Sequence, residues 1–201
     1  MNKNYILSWN TSHLIDVDSD AWLVKFPGYE NVSLALLRSY QLPERIEFDA
    51  IFDVIGLSDY PVNNVSWPIM SKRMLEVLSE IGAFPYKAIP LVMIDCEVVS
   101  IENGIAIRSG KENYEFIGLQ LLEHLDAFDW ERSVYEPHPR MANRASYIKK
   151  LVLKEPKEGF PPLFRLSAHP SALFITDKAR EALKSKGIRG VFYTDAEEFQ
   201  G

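Results

Sequence analysis

The chain has 201 residues, 47% apolar and 25% charged, with a formal net charge of −6. That balance is enough for a packed core, and the acidity argues against broad binding to a phosphate backbone, which needs clustered Lys and Arg. No apolar run comes near the ~20 residues that cross a bilayer, the segment Met1–Trp9 lacks a signal-peptide core, and the one cysteine, Cys96, excludes an intrachain disulfide, so a cytoplasmic protein with no membrane partner is expected.

The first sixty residues read as short strands at Tyr5–Trp9, Ala21–Phe26 and Ile46–Ile55, separated by turn signals such as Pro27-Gly28 and Leu42-Pro43, with a short helix at Val32–Tyr40. Pro61–Asn64 is a loop. After Trp67-Pro68, Ser71 stands where an N-cap accepts from an orphan backbone N–H, and Met74, Val77, Leu78 and Ile81 form one apolar stripe. Gly82, eleven positions after Ser71, is placed to close that helix in the left-handed conformation. Lys87–Ile94 reads as a buried strand. Glu97–Ile101 and Gly104–Arg108 read as a hairpin turning on Asn103-Gly104, the strongest such signal in the chain. Tyr114–Leu122 fits a strand or a helix equally well.

Glu136–Ala145, with its Pro-His-Pro-Arg core, reads as an exposed connection, followed by a strand at Tyr147–Leu153 and a loop at Pro156–Pro162. The last unit runs strand Leu163–Leu166, strand Ala172–Ile175, helix Asp177–Lys186 and strand Gly190–Thr194. Its helix repeats the first one's spacing: Thr176 matches Ser71, Leu183 matches Leu78, and Gly187 again follows the cap by eleven. Duplication and two independent solutions to a strand-to-helix turn both remain open. The pattern predicts an α+β fold with a mixed, mainly antiparallel sheet and two capped amphipathic helices, in one or two lobes. Residues 1–62 form a strand-rich amino-terminal region, and 63–201 form an α+β region that packs with it as one unit.

No catalytic residue, metal ligand or cofactor is expected. The four histidines are scattered, and no HExxH, GxSxG or P-loop occurs. His124, near Glu123 and Asp126, comes closest to a carboxylate-oriented base, in an acidic and partly exposed segment. Cys96 lies between Asp95 and Glu97, whose charge disfavours a thiolate. Lys72 and Arg73 in a first helical turn oppose the macrodipole, so Arg73 either pairs with a carboxylate from another element or is displayed to a ligand. Arg165, alternating with apolar neighbours, points to solvent or into a buried ion pair. Trp9, Trp22, Trp67 and Trp130 read as core before contact. Acidic residues gather near Asp16–Asp20, Glu44–Asp53, Glu123–Glu131 and Asp195–Glu198; two such groups on one face would steer a basic partner.

Taken in order, Trp67-Pro68-Ile69-Met70-Ser71-Lys72-Arg73 with Leu78 and Gly82, Ile89-Pro90-Leu91, Asp129 with Ser133, Leu163-Phe164-Arg165-Leu166, and Leu173-Phe174-Ile175-Thr176-Asp177 with Leu183, Gly187, Gly190 and Phe192 carry a resemblance. The chain resembles a family of bacterial immunity proteins of polymorphic toxin systems, first catalogued as a domain of unknown function. The similarity covers Trp67–Thr194 and is best in the carboxy-terminal strand-helix-strand; Pro137–Ala145 departs from it and the connection near Cys96 finds no match.

The resemblance implies a non-enzymatic inhibitor, encoded beside a toxin, that binds it so that the producing cell survives. An acidic inhibitor suits a cationic toxin such as a nuclease, and the candidate contacts are Arg73, Trp67, Asp126, Asp129 and Arg165, the two arginines serving equally well to hold the fold. Nucleic acid is not an expected partner, and oligomeric state is open. Two other readings compete: an anion-binding module with an arginine aimed into an apolar pocket, and an enzyme with a cleft where His124, Asp126 and Asp129, or Arg73 and Arg165, converge.

Overall fold

A computed structural model describes residues 3–14, 18–24, 42 and 44–201. The chain runs β1 (Asn4–Trp9), β2 (Ala21–Leu23), β3 (Glu47–Ala50), α1 (Phe52–Ile55), β4 (Ile69–Ser71), α2 (Lys72–Ile81), β5 (Tyr86–Pro90), β6 (Val92–Asp95), β7 (Val98–Glu102) and β8 (Ile105–Arg108). It continues through β9 (Glu112–Asn113), β10 (Phe116–Leu121), β11 (Val134–Pro137), β12 (Ala145–Lys150), β13 (Leu163–Phe164), β14 (Phe174–Thr176), α3 (Asp177–Ser185) and β15 (Val191–Asp195), ending in a 3-10 turn at Ala196–Glu198. The helix expected at Val32–Tyr40 and the Pro27-Gly28 turn lie outside the described residues.

The strands form an antiparallel sheet β13-β14-β1-β15, a second antiparallel sheet β4-β10-β5, and a third, β2-β3-β6-β9, in which β3 and β6 run parallel. β7-β8 and β11-β12 are two-stranded hairpins. The architecture is α+β with mainly antiparallel sheets, as expected. β1 lies between β14 and β15 and is buried on both faces: Tyr5 and Leu7 enter one core, Ile6 another. That placement explains its lack of polar alternation, since neither pleat faces water. β13 and β14 repeat the arrangement, with Leu163 and Ile175 on the first side and Phe164 and Phe174 on the other.

The first core joins this sheet to β10 and both long helices, through Met74, Val77 and Leu78 of α2 and Ala179 and Leu183 of α3. The caps are as the sequence predicts: Ser71 Oγ accepts from the Met74 amide at 3.1 Å, and Thr176 Oγ1 from Ala179 at 3.4 Å. The C-termini differ. Gly187 takes the left-handed conformation at φ 65°, whereas Gly82 is extended at φ 169°, so α2 ends by passing straight into the Phe84–Tyr86 segment.

Other expectations need correction. Lys87–Ile94 is two strands in two sheets: β5 pairs with β10 and β6 with β3. Pro90 has no amide hydrogen to continue a ladder, and the chain crosses between sheets at Leu91. The strand expected over Ile46–Ile55 stops at Ala50, because the amides of Val54 and Ile55 turn back to the Ile51 carbonyl and carry Ile55 into the second core. β11 extends through Pro137 into the expected connection. Tyr114–Leu122 resolves as strand β10, with Ile117, Leu119 and Leu121 facing the first core and Phe116 the second. Among the described residues no helix is long and apolar enough to cross a membrane.

Leu78 is fully buried where α2 meets the first core. Leu78→Ala is expected to cost about 3 kcal/mol in urea unfolding. Tryptophan fluorescence and far-UV circular dichroism should trace one coincident transition, because β1 is held by strands from the opposite end of the sequence.

Candidate functional site

The densest polar cluster centres on Asp59, 7% exposed, in the loop after α1. Its Oδ1 accepts from Ser71 Oγ at 2.8 Å and Arg73 Nε at 3.3 Å; its Oδ2 accepts from Arg73 Nη2 at 2.7 Å and the Arg189 amide at 2.9 Å. The backbone doubles the connection, for the Asp59 amide donates to the Arg189 carbonyl at 2.9 Å and its carbonyl accepts from the Ser71 amide at 2.7 Å. Arg73 Nη2 also donates to the Gly187 carbonyl at 3.1 Å, and Arg189 Nη2 to that of Gly56 at 2.7 Å. Three distant segments thus meet at one carboxylate. Gly190 permits the approach: its φ is 78°, and a Cβ there would lie 1.9 Å from Ser58 Oγ.

This cluster accounts for the misplaced charge of α2. No acidic residue lies in its first turn, and Asp59 supplies from outside the negative charge that the macrodipole and Arg73 both favour. Burial alone would raise the Asp59 carboxyl, but hydrogen bonds from Arg73, the Arg189 amide and Ser71 outweigh it and hold the group below its ordinary value. Arg73 in a first turn was the sequence signal for a carboxylate partner. Which acid it would find was not written in the sequence.

The other candidate residues are dispersed. Trp67 is fully covered in the second core, its ring 6.0 Å from that of Phe48, and its backbone is clamped at both N–H and C=O by the Asn63 amide side chain. Asp126 is exposed. Asp129 caps the chain reversal before β11, accepting from the amides of Glu131 at 3.1 Å and Arg132 at 3.0 Å. Arg165 is not in solvent, and among the described residues it forms no ion pair. It is buried at 7% exposure, with Nη1 donating to the carbonyls of Pro170 at 2.5 Å and Ser171 at 2.8 Å.

Asp129 and Arg165 line different cavities, and His124, Asp126 and Arg73 border neither of them. His124 is half-buried, and burial, with Arg165 and Arg144 nearby, lowers its pKa, leaving a neutral imidazole at pH 7. Among the described residues no cluster of His, Cys, Asp and Glu has the makings of a metal site. The Cys96 thiol is pushed up, first by burial and then by Asp49. Its inertness was expected, but its sequence neighbours are not the main cause.

Some members of the acidic groups are engaged within the chain. Glu47 pairs with Arg45, Asp49 with Arg108 at 2.8 Å, Asp129 with Arg132 at 3.8 Å and Asp195 with Lys3 at 3.0 Å. Two of the groups do share a face: Asp129, Asp195 and Glu197 border one groove of about 560 Å³, but Lys3, Arg132 and Lys150 border it too. The resulting field is mixed rather than strongly negative.

The β7–β8 hairpin is different in kind. Asn103 at φ 49° and Gly104 at φ 80° form its turn, as the Asn-Gly pair predicts. Every residue of both strands is exposed. Among them are Val98, Val99, Ile101 (73% exposed), Ile105 and Ile107, with Tyr114 exposed nearby in sequence. Two paired strands with open edges and uncovered aliphatic side chains are an aggregation liability. Their register divides these side chains between two faces, Ile101 beside Ala106 on one and Ile105 and Ile107 beside Glu102 and Ser100 on the other, and uncovered aliphatic surface of this sort marks a binding site more often than a solvated face.

A family model described as immunity protein family (Imm11) matches residues 24–198. A search of curated proteins finds no match. The match extends well before Trp67, where the resemblance visible in the sequence begins.

The folded Asp59 value lies below the unfolded one, so its stabilisation is complete above about pH 4 and is lost as pH falls through the folded value. Asp59→Asn should destabilise by about 2 kcal/mol at pH 7. The gap from the native chain should shrink steadily below about pH 4, measured by urea unfolding across pH.

Proposed function

Because the chain belongs to the Imm11 immunity protein family, we propose that it neutralises a cognate toxin in the cytoplasm by binding it, and that the β7–β8 hairpin supplies the principal contact. Immunity proteins of this kind act by occupancy rather than by turnover. The toxin is a polypeptide encoded near this chain.

The observation that carries the surface assignment is the uncovered aliphatic hairpin. Burying an exposed Ile against a partner stabilises the complex by roughly 1.5–3 kcal/mol, and Ile101 and Ile105 have most of that surface still to lose. The strand edges offer a second source of affinity, since a partner strand can add its backbone hydrogen bonds to either one. Charge acts mainly on association rate, through exposed acidic residues such as Asp126. Arg73, Asp129 and Arg165 hold backbone in place, and Trp67 packs the second core.

The test is recovery of bound protein by the tagged chain from its native cells under toxin-producing conditions, with Ile101→Asp and Ile105→Asp in parallel. The native chain should retain one toxin-like polypeptide in stoichiometric amount. Each variant should bind it about 30-fold more weakly, as for a hot spot of about 2 kcal/mol, with an unchanged unfolding midpoint. Native affinity in the double variant would remove the hairpin from the interface. Recovery of nothing from cells that contain the neighbouring toxin would overturn neutralisation by binding.

A further inference from the structure

Arg165 carries a charge that no described carboxylate pairs with. It is 7% exposed, and among the described residues no carboxylate lies within ion-pairing distance. Its two Nη1 hydrogens go to the Pro170 and Ser171 carbonyls, which leaves Nε and Nη2 with no acceptor among the described residues. A buried guanidinium in that condition is costly, since carbonyl dipoles offset only part of the desolvation of a full charge. Isolated cases of this kind call for a ligand or an explanation.

The surroundings point the same way. Arg165 borders a cavity of about 360 Å³ together with Trp9, Tyr60, Leu173 and Phe199. The Trp9 ring forms part of its wall, with the indole N–H itself buried. Burial pushes the Tyr60 hydroxyl up to about 12, so it stays protonated and can donate. His169, also on the rim, is held neutral by burial, with its Nε2 2.8 Å from Ser171 Oγ, and adds no second charge. The lining therefore combines one fixed positive charge with the hydroxyls of Tyr60, Ser8, Ser66 and Ser171, while Trp9, Leu173 and Phe199 supply apolar wall.

We propose that this cavity binds a carboxylate carried on an apolar body, with Arg165 Nε and Nη2 as its donors. A single arginine matches a monoanion in charge. A planar guanidinium edge matches the two oxygens of a carboxylate. Leu173 and Phe199 take the apolar part. The site is independent of toxin neutralisation and of the hairpin. The carboxylate can come from a free small acid or from a polypeptide terminus, and the two are distinguishable.

The experiment follows the Trp9 indole resonance of the full chain in ¹H–¹⁵N spectra, assigned with Trp9→Phe. The probes are phenylacetate, its neutral isostere phenylacetamide, and the acetylated tripeptide Ala-Ala-Phe with a free terminus. Saturable movement of the Trp9 resonance by phenylacetate or the tripeptide, with the amide at least about tenfold weaker, is expected. Phenylacetate binding assigns a free acid as sufficient; binding of the tripeptide alone assigns a polypeptide carboxylate. Arg165→Gln should weaken binding at least about tenfold, and Tyr60→Phe should weaken it by a smaller factor. The acid-against-amide comparison uses the native chain, so a variant that fails to fold leaves the test intact. Equal binding of acid and amide, or an unmoved Trp9 resonance with both carboxylates at millimolar concentration, would overturn the proposal.

Discussion

The carboxylate of Asp59 joins the loop after α1, the first turn of α2 and the Gly187–Gly190 turn, and the placement of the main helices follows from that junction. Its two oxygens accept four hydrogen bonds, two of them from one guanidinium. Such charge-assisted pairs are stronger and more directional than neutral ones. Ser71 shows how tightly the cluster is wound: its Oγ accepts from Met74 to start α2 and donates to Asp59 to hold that start in place. The helix thereby enters the first core at the angle that buries Met74, Val77 and Leu78. A first turn that carries Lys72 and Arg73 would be poorly placed in isolation, and becomes favourable only with Asp59 beside it.

Two arginines from the same resemblance illustrate how differently one residue type can be used. Arg73 is half exposed, faces a carboxylate, and joins elements far apart in sequence. Arg165 is buried, faces carbonyls of its own loop, and keeps part of its hydrogen-bonding capacity open toward a cavity. The first needs no further partner to be satisfied. The second has donors that nothing in the described chain fills, which is why the two lead to different conclusions about recognition.

The net acidity of the chain also changes meaning once the ion pairs are placed. Lys3, Arg45, Arg108 and Arg132 each answer an acidic residue that the sequence had grouped with others of its sign. Pairs at the surface contribute little stability individually, but each offsets the charge of the acid it engages. What protrudes instead is aliphatic. An exposed hairpin is hard to rationalise as packing, because its side chains touch no core, and easy to rationalise as surface kept for a partner.

The sequence by itself determined the features that rest on neighbours a few residues apart. The Ser71 and Thr176 caps, the stripes of α2 and α3, the Asn103-Gly104 turn and the closing strand-helix-strand are all matters of local backbone and side-chain geometry. It also carried enough of these motifs in order for the family to be recognised. Only the tertiary structure decided what depends on pairing across distance: the passage of the chain from one sheet to another at Pro90, the burial of both faces of β1, the choice of Asp59 out of 28 acidic residues as the partner of Arg73, and the enclosure of Arg165 with no carboxylate among the described residues in ion-pairing reach. Exposure belongs to that second class as well. The same alternating Val and Ile that fill a buried strand elsewhere stand in solvent in β7 and β8, because whether a strand is covered depends on what folds over it and not on its own residues.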